Sequence, residues 1–175
     1  QRDDIHVEGY KWSLDGKHIY FYAPIDGTLQ LFDVTVDPLN QAAQVIRQVT
    51  KGDFDIHAIV AQIGSTLVVT RCDMNHADEL YTVNINDGTM KQLTHVNDSI
   101  YNSIKLVKTE RRWVETTDKK KELVWVIYPP DFDPAKQYPT LLYCQGGPQS
   151  ALTQFYSFRW NFQLMASQGY IVVAP

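Results

Sequence analysis

The sequence has little of what several classes of protein require. Only two of its 175 residues are cysteines, and neither Cys-x-x-Cys nor a Cys/His spacing suited to zinc occurs. No run approaches the roughly 18 apolar residues that a membrane span needs. The formal net charge of −4 offers no basic footprint for nucleic acid. We therefore expect no metal site, no membrane span, no nucleic-acid partner and two free thiols, Cys72 and Cys144, with Cys144 buried on a strand.

Motifs that carry chemistry are also missing. There is no Gly-x-Ser-x-Gly turn to expose a catalytic serine, and neither glycine-rich phosphate-binding pattern is present. No two histidines lie within four residues of one another, which excludes a metal-binding pair on one helix: His6, His18, His57, His76 and His95. The sequence therefore contains no local motif that pairs a nucleophile with a base.

The first hundred residues repeat one pattern of turns and strands. "WSLDGKHIYFYA" has an Asp-Gly turn followed by alternating strand-like residues, and "DGTLQLFDVTV" and "AQVIRQVT" predict two more strands. The same order returns in "IGSTLVVTRC", "ADELYTVNINDG" and "MKQLT". Equivalent residues are separated by 48, 49 and 44 positions: Gly16 and Gly64, Leu31 and Leu80, Thr50 and Thr94.

A period in the mid-forties with about four short strands is typical of a β-propeller blade. One four-stranded sheet cannot bury both faces alone, so it stacks on its neighbours. An ordinary β-sandwich with a chance period is the alternative. Because two copies are fewer than a propeller needs, we expect residues 1–105 to be the C-terminal blades of a larger propeller.

From about Ser103 the pattern becomes that of an α/β fold. "SIKLVKTERRWVETT" and "KELVWVIYPP" predict an antiparallel hairpin around "DKKK". "TLLYCQ" and "YIVVAP" are continuous apolar runs, typical of parallel strands covered on both faces. The residues between them have the spacing of one helix face that ends at Gly169: Phe155, Phe158, Trp160, Phe162, Leu164 and Met165. Residues 106–175 are thus predicted to begin an α/β domain.

Two glycines follow the first of these strands, in "CQGGPQS". In α/β sheets, ligands and reacting groups lie beyond the carboxyl ends of the strands. Gly146 and Gly147 have no Cβ, so their backbone N–H groups can approach a reacting group closely and stabilise a developing oxyanion by roughly 3–4 kcal/mol per donor. Taken alone, the three residues Gly-Gly-Pro are better explained by a sharp turn that has no catalytic role.

The propeller-like segment is followed by "YPPDFDPAKQYPTLLYCQGGPQS" and then by "FQLMASQGYIVVAP". This order of segments resembles the prolyl oligopeptidase family of serine peptidases, in its dipeptidyl-peptidase and acylaminoacyl-peptidase branches. In that family a β-propeller caps an α/β-hydrolase domain. The resemblance is weak over residues 1–105 and strong over 122–175. It implies that Gly146 and Gly147 line the oxyanion hole. The family members that cleave after proline carry Tyr where this chain has Gln145. The side-chain amide of Gln145 could also donate a hydrogen bond to the oxyanion. This departure from the family pattern argues against strict post-proline specificity.

The resemblance also implies what lies elsewhere. The catalytic Ser, Asp and His are expected beyond Pro175, so this chain would be a fragment that is inactive by itself. Its parent would be a periplasmic or secreted exopeptidase that hydrolyses short peptides through an acyl-enzyme and needs no cofactor. Open sheet edges predict that the isolated fragment associates with itself. The alternatives are a non-catalytic propeller that binds partners, which leaves the glycine loop unexplained, and an α/β-hydrolase esterase, which leaves the repeat unexplained.

Overall fold

The computed structural model describes residues 6–37, 39, 44–146 and 152–175. Within these ranges the chain forms three four-stranded sheets and two short helices. Neither of these helices has the length and apolar character that crossing a membrane requires. The mainly sheet architecture agrees with the strand-rich patterns of the sequence.

The first two sheets are built alike, from antiparallel strands that follow one another along the chain. The first contains β1 (Gly9–Trp12), β2 (His18–Ile25), β3 (Thr28–Thr35) and β4 (Ile46–Gln48). The second contains β5 (Asp55–Ile63), β6 (Thr66–Asp73), β7 (His76–Asn84) and β8 (Met90–Gln92). Gly16 and Gly64 occupy equivalent turns, with φ of 69° and 56°. The predicted repeat of turns and strands is therefore confirmed.

A repeated Gln-x-Thr sequence ends both sheets with the same hydrogen bonds. In the first sheet the Thr50 hydroxyl accepts from the Leu31 N–H at 2.9 Å. In the second, the Thr94 hydroxyl accepts from the Leu80 N–H at 2.9 Å. Each preceding glutamine side chain donates to the carbonyl of its threonine, at 2.9 Å and 2.8 Å respectively. The last strand of each sheet has only three residues. Beyond its end, the glutamine and threonine side chains therefore form the hydrogen bonds that the backbone groups need.

The hairpin between β2 and β3 turns through two residues. Asp26 and Gly27 both have positive φ, 49° and 71°, which is the backbone of a type I′ turn and matches the twist of the flanking strands. A Cβ at Gly27 would lie 2.7 Å from Leu123 and 2.8 Å from Trp125. Glycine is therefore required here both by the turn and by the close approach of another sheet.

Apolar side chains on facing strands pack the first sheet against the second. Burying each of them contributes about 1.5–3 kcal/mol relative to exposure. The fully buried members are all aliphatic: Leu31, Ile56, Leu67, Val69 and Val83. This contact gives each sheet a covered face that it could not obtain alone.

The third sheet has the order β11-β12-β10-β9. Its strands are β9 (Thr109–Glu115), β10 (Lys121–Ile127), β11 (Thr140–Leu142) and β12 (Ile171–Ala174). The hairpin of β9 and β10 is antiparallel and turns at Lys119, whose φ is 63°. β11 and β12 are parallel and are joined through helix α2 (Phe162–Ser167), whereas α1 (Asp98–Tyr101) precedes the sheet. The predicted hairpin and strand–helix–strand unit are both confirmed.

The predicted helix is shorter than its aromatic spacing suggested. It begins only after Asn161, whose side chain accepts from the Leu164 N–H at 2.9 Å as an N-cap, and Gly169 follows it with φ 89°. The preceding residues form a turn in which the Ser157 hydroxyl accepts from the Trp160 N–H at 3.0 Å. Three residues assigned to the buried helix face are instead exposed: Phe158, Trp160 and Leu164.

The prediction that "TLLYCQ" is a covered strand is wrong, and so is the prediction that Cys144 is buried. Only three of these residues form β11, and all three are exposed in the described structure. β11 is an edge strand that pairs with β12 alone, so one side of it has no neighbouring strand among the described residues. Cys144 is an exposed free thiol, whereas Cys72 is a buried one.

Trp125 fastens the third sheet to the first. It lies on β10, is completely buried, and donates its indole N–H to the Gly27 carbonyl at 3.2 Å. The guanidinium of Arg111 stacks over its ring at 5.4 Å and forms an ion pair with Asp53. One indole therefore supplies apolar burial and a hydrogen bond across the contact between the two sheets.

We expect Trp125→Ala to lower the free energy of unfolding by about 3–5 kcal/mol, because it opens a large cavity. Trp125→Phe should cost about 1–3 kcal/mol, since the Gly27 carbonyl loses its donor. Trp113→Ala on the adjacent strand is the matched control; that side chain is 53% exposed and its loss should change stability by at most about 0.5 kcal/mol. Urea titrations followed by circular dichroism measure all three. Equal losses for the two alanine variants would contradict the role assigned to Trp125.

Candidate functional site

The loop after β11 lies at the carboxyl end of a parallel strand, the position at which α/β sheets bind ligands. Tyr143 continues the strand, because its N–H donates to the Val173 carbonyl at 2.8 Å. The chain then leaves the sheet through Gln145 and Gly146, which are both exposed. Gly147, the second glycine of the predicted oxyanion loop, lies outside the described residues.

Gln145 is held by the strand that precedes it. The Tyr143 hydroxyl donates to Gln145 Oε1 at 2.9 Å. This contact fixes the amide oxygen beside Tyr143, which directs the Nε2 donors to the other side of the amide. The arrangement is compatible with an amide that donates to an anionic oxygen.

Among the described residues, no heavy atom lies within 4 Å of a Cβ built at Gly146. These neighbours therefore give no packing reason for a glycine here. A residue without a Cβ is compatible with the close approach to the backbone that an oxyanion site requires.

A cleft of about 620 Å³ adjoins this loop. Its aromatic wall is held together by edge-to-face contacts, with ring centroids 6.1 Å apart for Tyr143 and Trp160 and 5.9 Å apart for Phe155 and Phe162. Phe162 is the buried first residue of α2 and also contacts Tyr143 at 5.0 Å. The lining residues are Leu142, Tyr143, Cys144, Gln145, Gly146, Phe155 and Trp160. The cleft thus combines an aromatic wall with the polar groups of the candidate loop, a lining typical of ligand pockets.

Four histidine rings form contacts with aspartates, and all four precede residue 106: His18–Asp33, His57–Asp78, His76–Asp73 and His95–Asp98. The hydrogen bond to Asp73 raises the pKa of His76, and the hydrogen bond to Asp78 raises that of His57. Within residues 6–37, 39, 44–146 and 152–175, no serine hydroxyl hydrogen-bonds to a histidine ring. Asp73 and Asp78 thus favour the protonated forms of His76 and His57, and the described residues form no Ser–His pair.

The structure brings together three side chains that linear spacing did not connect. Asp55, His57 and Cys72 each place one ligand atom within 4.8 Å of the others. Asp55 and Cys72 are register partners on β5 and β6, and His57 follows two residues after Asp55. Asp55 and His57 are close in the sequence, but the partner on β6 depends on strand register. For that reason a search for Cys/His spacing missed this cluster.

The segment that follows the glycine loop docks onto the second sheet. Gln154 is buried, and its Oε1 accepts from the Met74 N–H at 3.2 Å. The Cys72 thiol donates to the Gln154 carbonyl at 3.7 Å. Gln163 on α2 donates to the Asn75 carbonyl at 2.8 Å. The second sheet therefore positions the segment between the candidate loop and α2.

No family model matches the chain. A curated relative, dipeptidyl-peptidase 5 of Porphyromonas gingivalis, is 41% identical over 172 residues, which are 98% of this chain and 24% of that protein. Dipeptidyl-peptidase 5 of Porphyromonas endodontalis is 41% identical over 157 residues, which are 90% of this chain and 22% of that protein. The chain thus spans less than a quarter of the length of these curated relatives.

A solved structure of Pyrococcus horikoshii acylaminoacyl peptidase resembles the chain with a TM-score of 0.77 and 24% identity, covering 99% of this chain and 25% of that one. At this identity the likeness concerns the fold. Together with the sequence relatives it confirms the resemblance stated above: the chain belongs to the prolyl oligopeptidase family of serine peptidases. Within that family, the curated relatives named here are dipeptidyl-peptidases 5.

We expect Gln154→Ala to lower the free energy of unfolding by about 1–3 kcal/mol, because the buried Met74 N–H loses its acceptor. Gln168→Ala is the matched control: this glutamine is exposed at the end of α2, and its loss should cost at most about 0.5 kcal/mol. Chemical denaturation followed by tryptophan fluorescence gives both values. A Gln154→Ala variant as stable as the control would show that this docking contact is dispensable.

Proposed function

We propose that the complete protein is a serine peptidase that releases dipeptides from the N-termini of short peptides, and that this chain carries its oxyanion loop. The observation that carries the proposal is the 41% identity to dipeptidyl-peptidase 5 over 98% of the chain. The likeness to acylaminoacyl peptidase, at 24% identity, supports the fold more than the substrate. A dipeptidyl-peptidase is therefore favoured over an acylaminoacyl-peptidase.

The proposal assigns the chain to two domains. Residues 1–105 form the last blades of a β-propeller, in keeping with two consecutive four-stranded antiparallel sheets. Residues 106–175 begin an α/β-hydrolase domain, in keeping with the parallel pairing of β11 and β12 around α2. The propeller restricts entry to short peptides, and the hydrolase domain performs the reaction.

In this mechanism a serine beyond Pro175 attacks the carbonyl carbon of the second substrate residue, while a histidine takes the serine proton and an aspartate orients the histidine. The carbonyl oxygen becomes an anion in the tetrahedral intermediate. The N–H groups of Gly146 and Gly147 donate to it, and Gln145, oriented by Tyr143, stands beside them. Collapse of the intermediate releases the shortened peptide, and water hydrolyses the dipeptidyl-enzyme.

This chemistry requires no metal or organic cofactor, since the triad and the oxyanion donors supply the acid, base, nucleophile and electrostatic stabilisation. The substrates are short peptides with a free N-terminus. We extend the proposal to a periplasmic or secreted location, on the family resemblance. An esterase sharing the same loop would be distinguished by its preference for simple esters over peptide bonds.

The 175-residue chain by itself should be inactive, because it supplies oxyanion donors without a nucleophile at a Gly-x-Ser-x-Gly turn. It should also associate with itself. Unpaired strand edges recruit other strands, and the edge strands β1 and β11 carry exposed apolar side chains: Tyr10, Trp12, Leu141 and Leu142.

The proposal is tested by assaying the complete protein and the isolated chain in parallel on dipeptidyl-p-nitroanilides, N-acetyl-amino-acid p-nitroanilides and p-nitrophenyl acetate. The complete protein should favour the dipeptidyl substrates, and the isolated chain should hydrolyse none of them. Light scattering on the isolated chain should give a mass above that of the monomer. A preference for the ester, or turnover by the isolated chain, would overturn the proposed function; a compact monomer would overturn only the self-association.

Two substitutions of Gly146 distinguish the contribution of its backbone N–H to catalysis from the effect of its missing side chain. In the complete protein, Gly146→Pro removes the backbone donor and should lower kcat about 10²–10³-fold with little change in KM. Gly146→Ala keeps the donor and meets no described atom, so kcat should stay within about tenfold of the parent. Melting temperatures close to that of the parent would exclude misfolding. Equal kcat values for the proline and alanine variants would show that the Gly146 N–H is not an oxyanion donor.

A further inference from the structure

We propose that Asp55, His57 and Cys72 form a binding site for a divalent transition metal ion, with Zn²⁺ as the ion that best suits the donor set. Carboxylate, imidazole and thiolate are the side chains that Zn²⁺ takes as ligands. The site is separate from the glycine loop and independent of the proposed peptidase activity. It lies where the second sheet meets the segment that leads to α2.

Strand geometry places the three side chains on one side of the second sheet. Cys72 on β6 is the register partner of Asp55, and cross-strand partners carry their side chains on the same face. The β-bulge between Ile56 and Ala58 interrupts the regular alternation of side chains at His57. The ligand atoms of all three residues nevertheless lie within 4.8 Å of one another, so the bulged residue directs its ring toward Asp55 and Cys72. Two ligands therefore come from one strand and one from its neighbour.

Two of the three separations between donor atoms are near those of a tetrahedral zinc site, and all three are within 4.8 Å. Cys72 Sγ lies 3.5 Å from His57 Nε2, which lies 3.9 Å from Asp55 Oδ2. Ligand bonds of 2.0–2.3 Å at a tetrahedral angle separate donor atoms by roughly 3.4–3.6 Å. The sulfur is also 3.7 Å from Nδ1, so it lies beside the imidazole rather than in front of Nε2. Coordination therefore requires the ring to reorient and the three donor atoms, which lie within 4.8 Å of one another, to draw closer together.

Asp55 supplies an independent reason to expect a cation. Its side chain is completely buried, and Oδ1 accepts from the Leu29 N–H at 2.7 Å. Oδ2, the atom that faces His57, has no hydrogen-bond partner among the described residues. A buried carboxylate oxygen without a donor is costly, and a bound cation would satisfy it.

The surrounding charges favour a dication. Two carboxylates lie at this cluster: Asp55 is one of its members, and Asp78 contacts the imidazole of His57. The same negative potential that opposes the thiolate attracts a metal ion, which deprotonates the sulfur when it binds. The balanced step is Cys–SH plus Zn²⁺ giving a Zn²⁺–thiolate bond and one released proton. At 2% exposure, the thiol is too buried to act as a nucleophile on a peptide.

Asp78 supplies the outer support that metal-binding histidines usually have. Its Oδ2 lies 3.1 Å from His57 Nδ1, so Nδ1 carries the proton and Nε2 is the nitrogen left to bind metal. The Cys72 thiol now donates to the Gln154 carbonyl, and metal binding would exchange this weak contact for a coordinate bond. The proposed ion would thus neutralise a buried carboxylate at the contact between the second sheet and the segment beside the cleft.

The test is a titration of the metal-free complete protein with Co²⁺, followed by absorption spectroscopy, and with Zn²⁺, followed by calorimetry. One equivalent of Co²⁺ should give a thiolate-to-metal charge-transfer band, and Zn²⁺ should abolish it. Cys72→Ser should eliminate the band. Asp78→Asn should keep the band and weaken Zn²⁺ binding by about 10–100-fold. Cys144→Ser and His95→Ala, which alter the exposed thiol and an exposed histidine, should change neither measurement.

Several results would overturn the proposal. One is the absence of the charge-transfer band in the parent protein; another is a band that survives Cys72→Ser or disappears in Cys144→Ser. Calorimetry in two buffers of different ionisation enthalpy adds a readout of the released proton, and no proton release would exclude thiolate ligation. Near-ultraviolet circular dichroism of each metal-free variant shows whether it folds. The titration of the parent protein can contradict the proposal by itself. The proposal therefore stays testable even if a variant misfolds.

Discussion

Stacking of whole sheet faces is the constraint on which the rest of this structure depends. A four-stranded antiparallel sheet has two faces and cannot cover both, so each sheet needs a neighbour. Leu31 and Leu67 are buried where the first sheet meets the second, and Trp125 brings the third sheet onto the first. Gly27 permits that approach because any larger residue would collide with the indole. The relative position of the sheets follows from a few closely packed side chains.

The candidate oxyanion loop takes its position from this packing. Its strand, β11, lies at an edge of the third sheet, and the chain after the loop returns to the second sheet through Gln154. That segment runs past the buried Asp55 cluster and supplies Phe155 to the cleft. The repeat and the loop are therefore connected, because the second sheet supports the segment beside the candidate loop. Under the proposed function, this connection would link the repeated sheets to the position of the reaction.

Local signals made much of the fold predictable. The turn at Gly16 and its repeat at Gly64 are encoded by Asp-Gly or Gly residues and by alternating strands, which need no knowledge of the rest of the chain. The length of α2 was mispredicted because aromatic spacing resembled a helix face, whereas the Asn161 side chain starts the helix later. The exposure of Cys144 depends on sheet order, and the Asp55 cluster depends on strand register; neither is written in a local pattern. The glycine loop was recognised through its family context rather than from its own residues.

Labelling of the catalytic serine tests the central claim most directly. The complete protein would be treated with a fluorophosphonate, digested, and the modified residue identified by mass spectrometry. The account predicts a single labelled serine within a Gly-x-Ser-x-Gly sequence beyond Pro175, and loss of dipeptidyl-peptidase activity in proportion to labelling. No labelling, or labelling of a serine within residues 1–175, would contradict the interpretation of this chain as the oxyanion-bearing part of a serine peptidase.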